Sequence, residues 1–252
     1  MSQTLTFIGN GNMALAMAQA LESHYSIEVV GRSLKNLELF SSKLKNKTSM
    51  SLLDNFDITH KTVLLCVKPA NLESVGTQLQ GKASQLYSVL AGTSLSALEQ
   101  HIQSSSYVRA MPNVAASVAK SMTTLTGDAN FEDEASKLFS AIGSTLWLHS
   151  EKELDIATAL AGSGPAYLAL IAESLSDGAV KQGLKRNDAM LLMRGLFEGF
   201  GTLVQKQHPA LLKDSVMSPG GTTAAGYSAL EDGNVRASCI NAIQKAFEVT
   251  KK

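Results

Sequence analysis

Apolar and polar positions follow one pattern up to about residue 150 and another after it. In the first part, short apolar runs read as strands: Leu5–Ile8, Ile27–Val30, Thr62–Val67, Leu86–Leu90, Tyr107–Ala110, Met122–Thr126 and Thr145–Leu148, with an edge segment near Thr48–Met50. Helical spacing fills Asn12–Ser23, Leu34–Leu44 (lysines outward) and Phe131–Ile142. The run T-V-L-L-C-V at Thr62–Val67 is almost continuously apolar, as a central parallel strand covered on both faces must be. Strands that alternate with helices or loops in this way predict an α/β fold with a doubly wound, mostly parallel sheet of Rossmann type.

At Ser150 the strand pattern ends. Ser150-Glu151-Lys152-Glu153 reads as a capping box that opens a helix, and no alternating run follows as far as Lys252. The expected division is therefore 1–150 and 151–252, the second part all helical. Gly162-Ser163-Gly164-Pro165 reads as a break before helices at about Pro165–Gln182 and Asn187–Lys206. Both are apolar on most faces, with Tyr167, Leu168, Leu170 and Ile171 in one and Leu191, Leu192, Leu196 and Phe197 in the other. A helix apolar on most faces must be buried on most faces, and some 100 residues offer little interior for that. The pattern predicts packing against the same helices of a second subunit.

The first strand stops at Gly9-Asn10-Gly11-Asn12-Met13-Ala14. Glycine permits the tight turn at 9, and the absent Cβ at Gly11 lets backbone approach a ligand. Ala14 is small enough for the helix to lie close on the strand. Unpaired amides at the helix start, aided by the helix dipole, favour a pyrophosphate. The six residues match the G-x-G-x-x-A dinucleotide fingerprint in its strand–turn–helix setting, although a glycine triplet alone is a weak signal.

The second strand ends Val30-Gly31-Arg32-Ser33. No carboxylate stands there to repel a 2′-phosphate, Arg32 can pair with one, and Ser33 can donate to it. This favours NADPH, with NADH as the alternative; a solvated loop cation is the plainer account of Arg32. Ligands of doubly wound sheets sit beyond the carboxyl ends of the strands. Here those ends carry Val67, Lys68 and Pro69, then Ala91, then Met111, Pro112 and Asn113. Two proline-stopped ends suggest rigid floor segments beneath the nicotinamide.

Composition narrows the function classes. The 22 Lys and Arg balance 22 Asp and Glu, so nothing electrostatic favours nucleic acid. No unbroken run of about 18 apolar residues appears, and no basic, apolar leader precedes the first strand, so neither a membrane span nor export is expected. Cys66 and Cys239 lie in apolar segments and read as buried free thiols, which points to a reducing, cytoplasmic location. The five histidines never fall at ligand intervals with cysteines or acids, so no metal is expected.

Near the C-terminus, Ser218-Pro219-Gly220-Gly221 forms a tight loop before Thr222-Thr223 opens an alanine-rich helix. A second helix start preceded by glycines, with hydroxyls added, suits a small carboxylate. A capped loop between two core helices would account for the same residues. Here the chain resembles the Δ1-pyrroline-5-carboxylate reductase family. Ser218–Thr223 with Gly226, Leu230 and Glu231 looks like its C-terminal signature, and Gly9–Ala14, Val67–Pro69, Met111–Asn113 and Gly162–Tyr167 follow the same order.

The resemblance implies a Rossmann domain and a helical domain that interlocks in a homodimer, in some members a decamer. It implies NAD(P)H-dependent reduction of pyrroline-5-carboxylate to L-proline, the last step of proline biosynthesis. By the same resemblance, Ser218 and the backbone amides of Gly220, Gly221 and Thr222 hold the substrate carboxylate, and Thr223 is the catalytic residue, bonding the ring nitrogen. Met217 stands where a small residue is usual, and Tyr227 where an aliphatic one is, which implies altered packing rather than altered chemistry. A β-hydroxyacid dehydrogenase shares the plan but needs a lysine where Leu168 stands. A non-catalytic dinucleotide sensor would have let the second loop erode, and it is intact.

Overall fold

Four consecutive buried residues, Leu5 to Ile8, place β1 (Thr4–Ile8) inside an eight-stranded sheet in the computed structural model, which describes residues 3–250. The other strands of this sheet are β2 (Ser26–Gly31), β3 (Ser49–Leu52), β5 (Thr62–Leu65), β7 (Gln85–Ser88), β8 (Tyr107–Met111), β9 (Ser121–Gly127) and β10 (Gly143–Trp147). Their order is β10-β9-β8-β7-β5-β1-β2-β3, and every pairing is parallel except β8 with β9. From β1 the chain winds out through β2 and β3, then crosses back to β5, so the topological switch point lies between β1 and β5. Ligands of such sheets bind outside the carboxyl ends at that point.

The doubly covered strands send alternate residues to two cores. Leu5, Phe7, Val29 and Leu64 pack with Ala14, Met17, Ala18 and Leu21 of α1 (Asn12–Leu21). Ile8, Val30, Val63, Leu65 and Leu86 pack on the opposite face with Leu72 and Val75 of α3 (Leu72–Gly76) and Leu98 of α4 (Leu95–His101). Burying each such side chain contributes about 1.5–3 kcal/mol. α2 (Leu34–Ser41) and α5 (Glu132–Ser140) complete the layers, the latter placing Phe139 edge-on to Tyr87 with ring centroids 5.8 Å apart. A two-stranded parallel sheet, β4 (Phe56–Asp57) with β6 (Leu79–Gln80), lies outside the predicted elements; two residues are too few to show a period.

The chain divides into two compact units, one reaching Ser163 and rejoined by the chain from Ala246, the other Gly164–Lys245. The sequence pattern changes earlier, at Ser150. The difference is α6 (Glu151–Ala157), whose Glu151 and Asp155 bind Arg109 of β8. Ser150 caps α6, its Oγ accepting from the Glu153 amide at 3.2 Å. The reciprocal bond of the predicted box is displaced by one residue: the Glu153 carboxylate accepts from the His149 amide at 2.9 Å.

The predicted break at Gly162–Pro165 is instead a π-helical stretch, Thr158–Gly162, between α6 and α7 (Gly164–Lys181). The Ser163 amide donates to the Thr158 carbonyl at 3.1 Å, a wide turn that carries the helix on to Pro165, where a first-turn proline needs no donor. Taken together, Glu151–Lys181 is long and apolar enough, by length and composition, to cross a membrane. The segment is interrupted by Thr158, Gly162, Ser163 and Gly164, so it is not an unbroken apolar run, and length and composition alone do not make it a membrane span.

The second unit adds α8 (Arg186–Leu203), α9 (Pro209–Ser215), α10 (Thr222–Asp232) and most of α11 (Val235–Thr250). Its apolar side chains are largely uncovered within one chain, Leu170 being 64% and Leu191 69% exposed, with Leu168, Leu192, Leu196 and Ile240 similar. Cys239, expected to be buried, is likewise exposed, and Cys66 is half-buried. For Cys239 the cause is physical: a helical residue that looks like core in sequence lies on a face that nothing among the described residues covers.

Candidate functional site

Gly9 has φ +107°, and a Cβ there would stand 2.7 Å from the Cys66 carbonyl oxygen and 3.1 Å from Val67 Cγ1. The fingerprint turn thus presses against the end of β5 and brings the Val67-Lys68-Pro69 segment beside it. The Gly9 amide donates to Val30 and the Cys66 amide to Ile8, at 2.9 and 2.8 Å, which fixes the turn to three strand ends. At Gly11 the opposite holds: a Cβ would meet nothing within 4 Å. No side chain caps α1, and its first turn holds no acidic residue. Ala14 is fully buried where the helix lies on the sheet. A cradle that a side chain would fill, open space over the second glycine and an uncapped helix start together fit a pyrophosphate.

Beside the turn, a cavity of about 240 Å³ is lined in part by Asn10, Gly11, Asn12, Asn36, Phe40 and Lys43. Arg32 is exposed at the end of β2 and makes no ion pair among the described residues; Ser33 is the N-cap residue of α2 but makes no side-chain capping bond. Met13 is half-buried in the first turn of α1. Lys68 and Pro69 are exposed, the proline opening a 3₁₀ turn at Pro69–Asn71, and Ala91 is exposed after β7. Burial pushes the Cys66 thiol up, so it stays protonated and is no nucleophile.

Met111, Pro112 and Asn113, at the end of β8, are all buried. The Asn113 side chain is committed inside the protein, its Oδ1 accepting from the Ala115 amide at 3.0 Å and its Nδ2 donating to the Ala161 carbonyl at 2.9 Å. It thereby holds the π-helical stretch to the end of β8. Asn113→Ala leaves the partly buried Ala115 amide and Ala161 carbonyl without their partner, and is expected to lower stability by about 2 kcal/mol. Urea unfolding should show a lower midpoint with an unchanged slope; an unchanged midpoint would remove that role.

In the second unit, the Gly221 amide donates to the Ser218 carbonyl at 3.0 Å, closing a turn with Pro219 and Gly220 at its centre. Gly220 has φ +70°, the backbone that a glycine at the third turn position supplies after proline. The expectation that Gly221 donates to a ligand is corrected here, because its amide closes the turn. Its contribution is the missing side chain, since a Cβ would stand 2.5 Å from Ser218 Oγ. Thr222 and Thr223 open α10 without a side-chain cap. The first-turn amides of a helix have no intrahelical acceptor. Ser218, Gly220, Thr222 and Thr223 are exposed, and their three hydroxyls have no partner among the described residues. Uncommitted amides and hydroxyls at one helix start can grip a carboxylate and a ring nitrogen.

Two side-chain clusters escaped the sequence reading. Arg109, 2% exposed in β8, holds Glu151 and Asp155 at 2.8 Å each. Glu231 of α10 is bonded by Tyr227 and by Arg236 of α11, which hold its carboxyl down to about 2. Charged residues spaced 42 and 46 positions apart leave no periodic trace in a sequence.

A mostly parallel sheet with a dinucleotide-type turn at its switch point, joined to a unit of uncovered apolar helices, is the plan of the two-part nicotinamide-dependent oxidoreductases. The comparisons narrow the class. Residues 151–252 match the family model described as pyrroline-5-carboxylate reductase dimerisation, and residues 4–92 the model described as NADP oxidoreductase, coenzyme F420-dependent. A pyrroline-5-carboxylate reductase of Arabidopsis thaliana is 38% identical, covering 98% of this chain and 94% of the relative. The crystal structure of the Streptococcus pyogenes reductase superposes with a TM-score of 0.87 at 30% identity, covering 99% and 98% of the two chains. The Plasmodium falciparum reductase, solved with NADP bound, gives 0.79 at 27% identity, covering 98% of each. The chain belongs to the pyrroline-5-carboxylate reductase family.

Proposed function

We propose that this chain reduces the C=N bond of Δ1-pyrroline-5-carboxylate to L-proline with NADPH, as the closing step of proline biosynthesis. The observation that carries this reading is the coexistence of two uncommitted anion cradles, the Gly9–Ala14 turn and the Ser218–Thr223 turn, in a member of this family. The first would hold the dinucleotide: amides at the start of α1 on the pyrophosphate, Arg32 and Ser33 on the 2′-phosphate, and the Val67–Pro69, Ala91 and Met111–Asn113 segments as walls. NADPH, when bound, supplies the hydride.

The chain's own residues then bind and orient. Ser218 Oγ and the amides of Gly220 and Thr222 donate to the substrate carboxylate. The Thr223 hydroxyl hydrogen-bonds the ring nitrogen as it turns from imine to amine, and no histidine or carboxylate in these segments is needed for a substrate that arrives protonated. Fixed orientation of an already reactive imine is the main catalytic contribution. The uncovered apolar faces of α7 and α8 support a homodimer as the minimal assembly, and the two unpaired cysteines a reducing, cytoplasmic setting.

Arg32→Glu tests the cofactor half of the reading. Replacing a cation by an anion at a phosphate contact should move the NADPH-over-NADH preference by about tenfold or more, roughly 1.4 kcal/mol, measured as kcat/KM for pyrroline-5-carboxylate reduction with each cofactor. An unchanged ratio would show that Arg32 does not read the phosphate.

A further inference from the structure

The helices flanking the Ser218–Gly221 turn are tied together by a side chain that the family signature does not supply. α9, before the turn, has seven residues and buries none of them. A helix so short has little stability of its own. Its Lys213 ammonium lies over the Tyr227 ring of α10, 5.3 Å from the centroid, and pairs with Asp214 at 2.7 Å. The far end of the same ring is pinned: Arg236 Nη2 donates to the Tyr227 hydroxyl at 2.6 Å, and that hydroxyl bonds Glu231, which also accepts from Arg236 Nε at 3.1 and 3.2 Å. Tyr227 therefore links α9, α10 and α11 by its face and its tip.

The placement of this link along α10 matters. Thr223, Tyr227 and Glu231 are spaced i, i+4, i+8 and so line one face of the helix. The pinned ring lies one turn below the threonine assigned to the ring nitrogen, and its stacking partner Lys213 lies five residues before Ser218. An aliphatic residue at 227, usual in the signature this chain resembles, has neither a π-face for the ammonium nor a hydroxyl for Arg236. We propose that Tyr227 is a positioning residue that staples the substrate turn, holding Ser218 and Thr223 in their binding geometry from outside the site. This rests on the substrate reading given above.

The test is steady-state kinetics on the intact oligomer, with Tyr227→Ile, Tyr227→Phe, Lys213→Met and the double variant Lys213→Met/Tyr227→Ile. Amide hydrogen exchange over residues 216–222 is followed alongside. Tyr227→Ile and Lys213→Met should each raise KM for pyrroline-5-carboxylate about three- to tenfold, with kcat and NADPH affinity within about twofold. Exchange in the turn should quicken in step. The double variant should be no worse than the worse single one, because both remove the same contact. Tyr227→Phe, which keeps the stack and loses the hydroxyl, should fall between wild type and Tyr227→Ile.

A KM within twofold of wild type in Tyr227→Ile, or additive losses in the double variant, would overturn the staple. If Tyr227→Ile does not fold, Lys213→Met with the exchange measurement decides by the same criteria. Failure of the underlying reading has a different signature: Ser218→Ala would then leave KM for pyrroline-5-carboxylate unchanged, and the staple would fall with it.

Discussion

Thr223→Ala is expected to lower kcat/KM for pyrroline-5-carboxylate about 100-fold, a loss of roughly 2.7 kcal/mol in transition-state binding. Thr223 sits in the first turn of an uncapped helix, exposed, with its hydroxyl unengaged among the described residues. Such a hydroxyl has no structural bond to lose, so its removal should leave folding and NADPH affinity close to wild type. The loss should fall on kcat as well as KM, because the bond to the nitrogen strengthens as the imine becomes an amine. Thr223→Ser, which keeps the hydroxyl, should recover most of the activity. Turnover of Thr223→Ala within a few fold of wild type would remove Thr223 from the chemistry.

Arg109→Met should produce the largest loss of stability of any single change considered, about 3 kcal/mol. The guanidinium is buried, and it faces two carboxylates whose side chains are themselves largely covered, Glu151 at 35% and Asp155 at 19% exposure. Removing one member of a buried cluster leaves the others' charge uncompensated, which costs about 3–5 kcal/mol; the partial exposure of Glu151 places the value at the lower end. Glu151 Oε1 also accepts from the Leu95 amide at 2.8 Å, so α4 and α6 loosen together. Thermal unfolding at fixed protein concentration should show a midpoint about 6–12 °C lower. A shift under 2 °C would mean that the cluster is solvated in solution and contributes little.

What the sequence made legible follows from how local each signal is. The Gly9–Ala14 turn was readable because a strand period, two glycines and a helix start fall within ten residues, and each constrains backbone rather than a distant partner. The doubly wound, mostly parallel sheet was readable because short apolar runs alternate with helices or loops. The π-helical stretch at Thr158–Gly162 was not legible: Gly162 and Pro165 announce a break, and only the Asn113 bond to Ala161 shows why the chain stays helical. The structural bonds of Asn113 were hidden for a related reason. A polar residue at a strand end looks available to a ligand until its partner, 48 residues away, is seen. Arg109 and Tyr227 belong to the same class, since ion pairs and ring contacts between distant elements carry no period. Cys239 failed in the other direction, because an apolar helix face in sequence does not say which chain will cover it.

The central claim is that the Gly9–Ala14 turn and the Ser218–Thr223 turn serve one reaction. The most direct measurement adds pyrroline-5-carboxylate to the purified oligomer with NADPH and follows loss of NADPH absorbance and formation of L-proline together. The account predicts one L-proline formed for each NADPH oxidised, with Ser218→Ala raising KM for the imine and leaving NADPH affinity unchanged. Folded protein that binds NADPH yet forms no L-proline would contradict it.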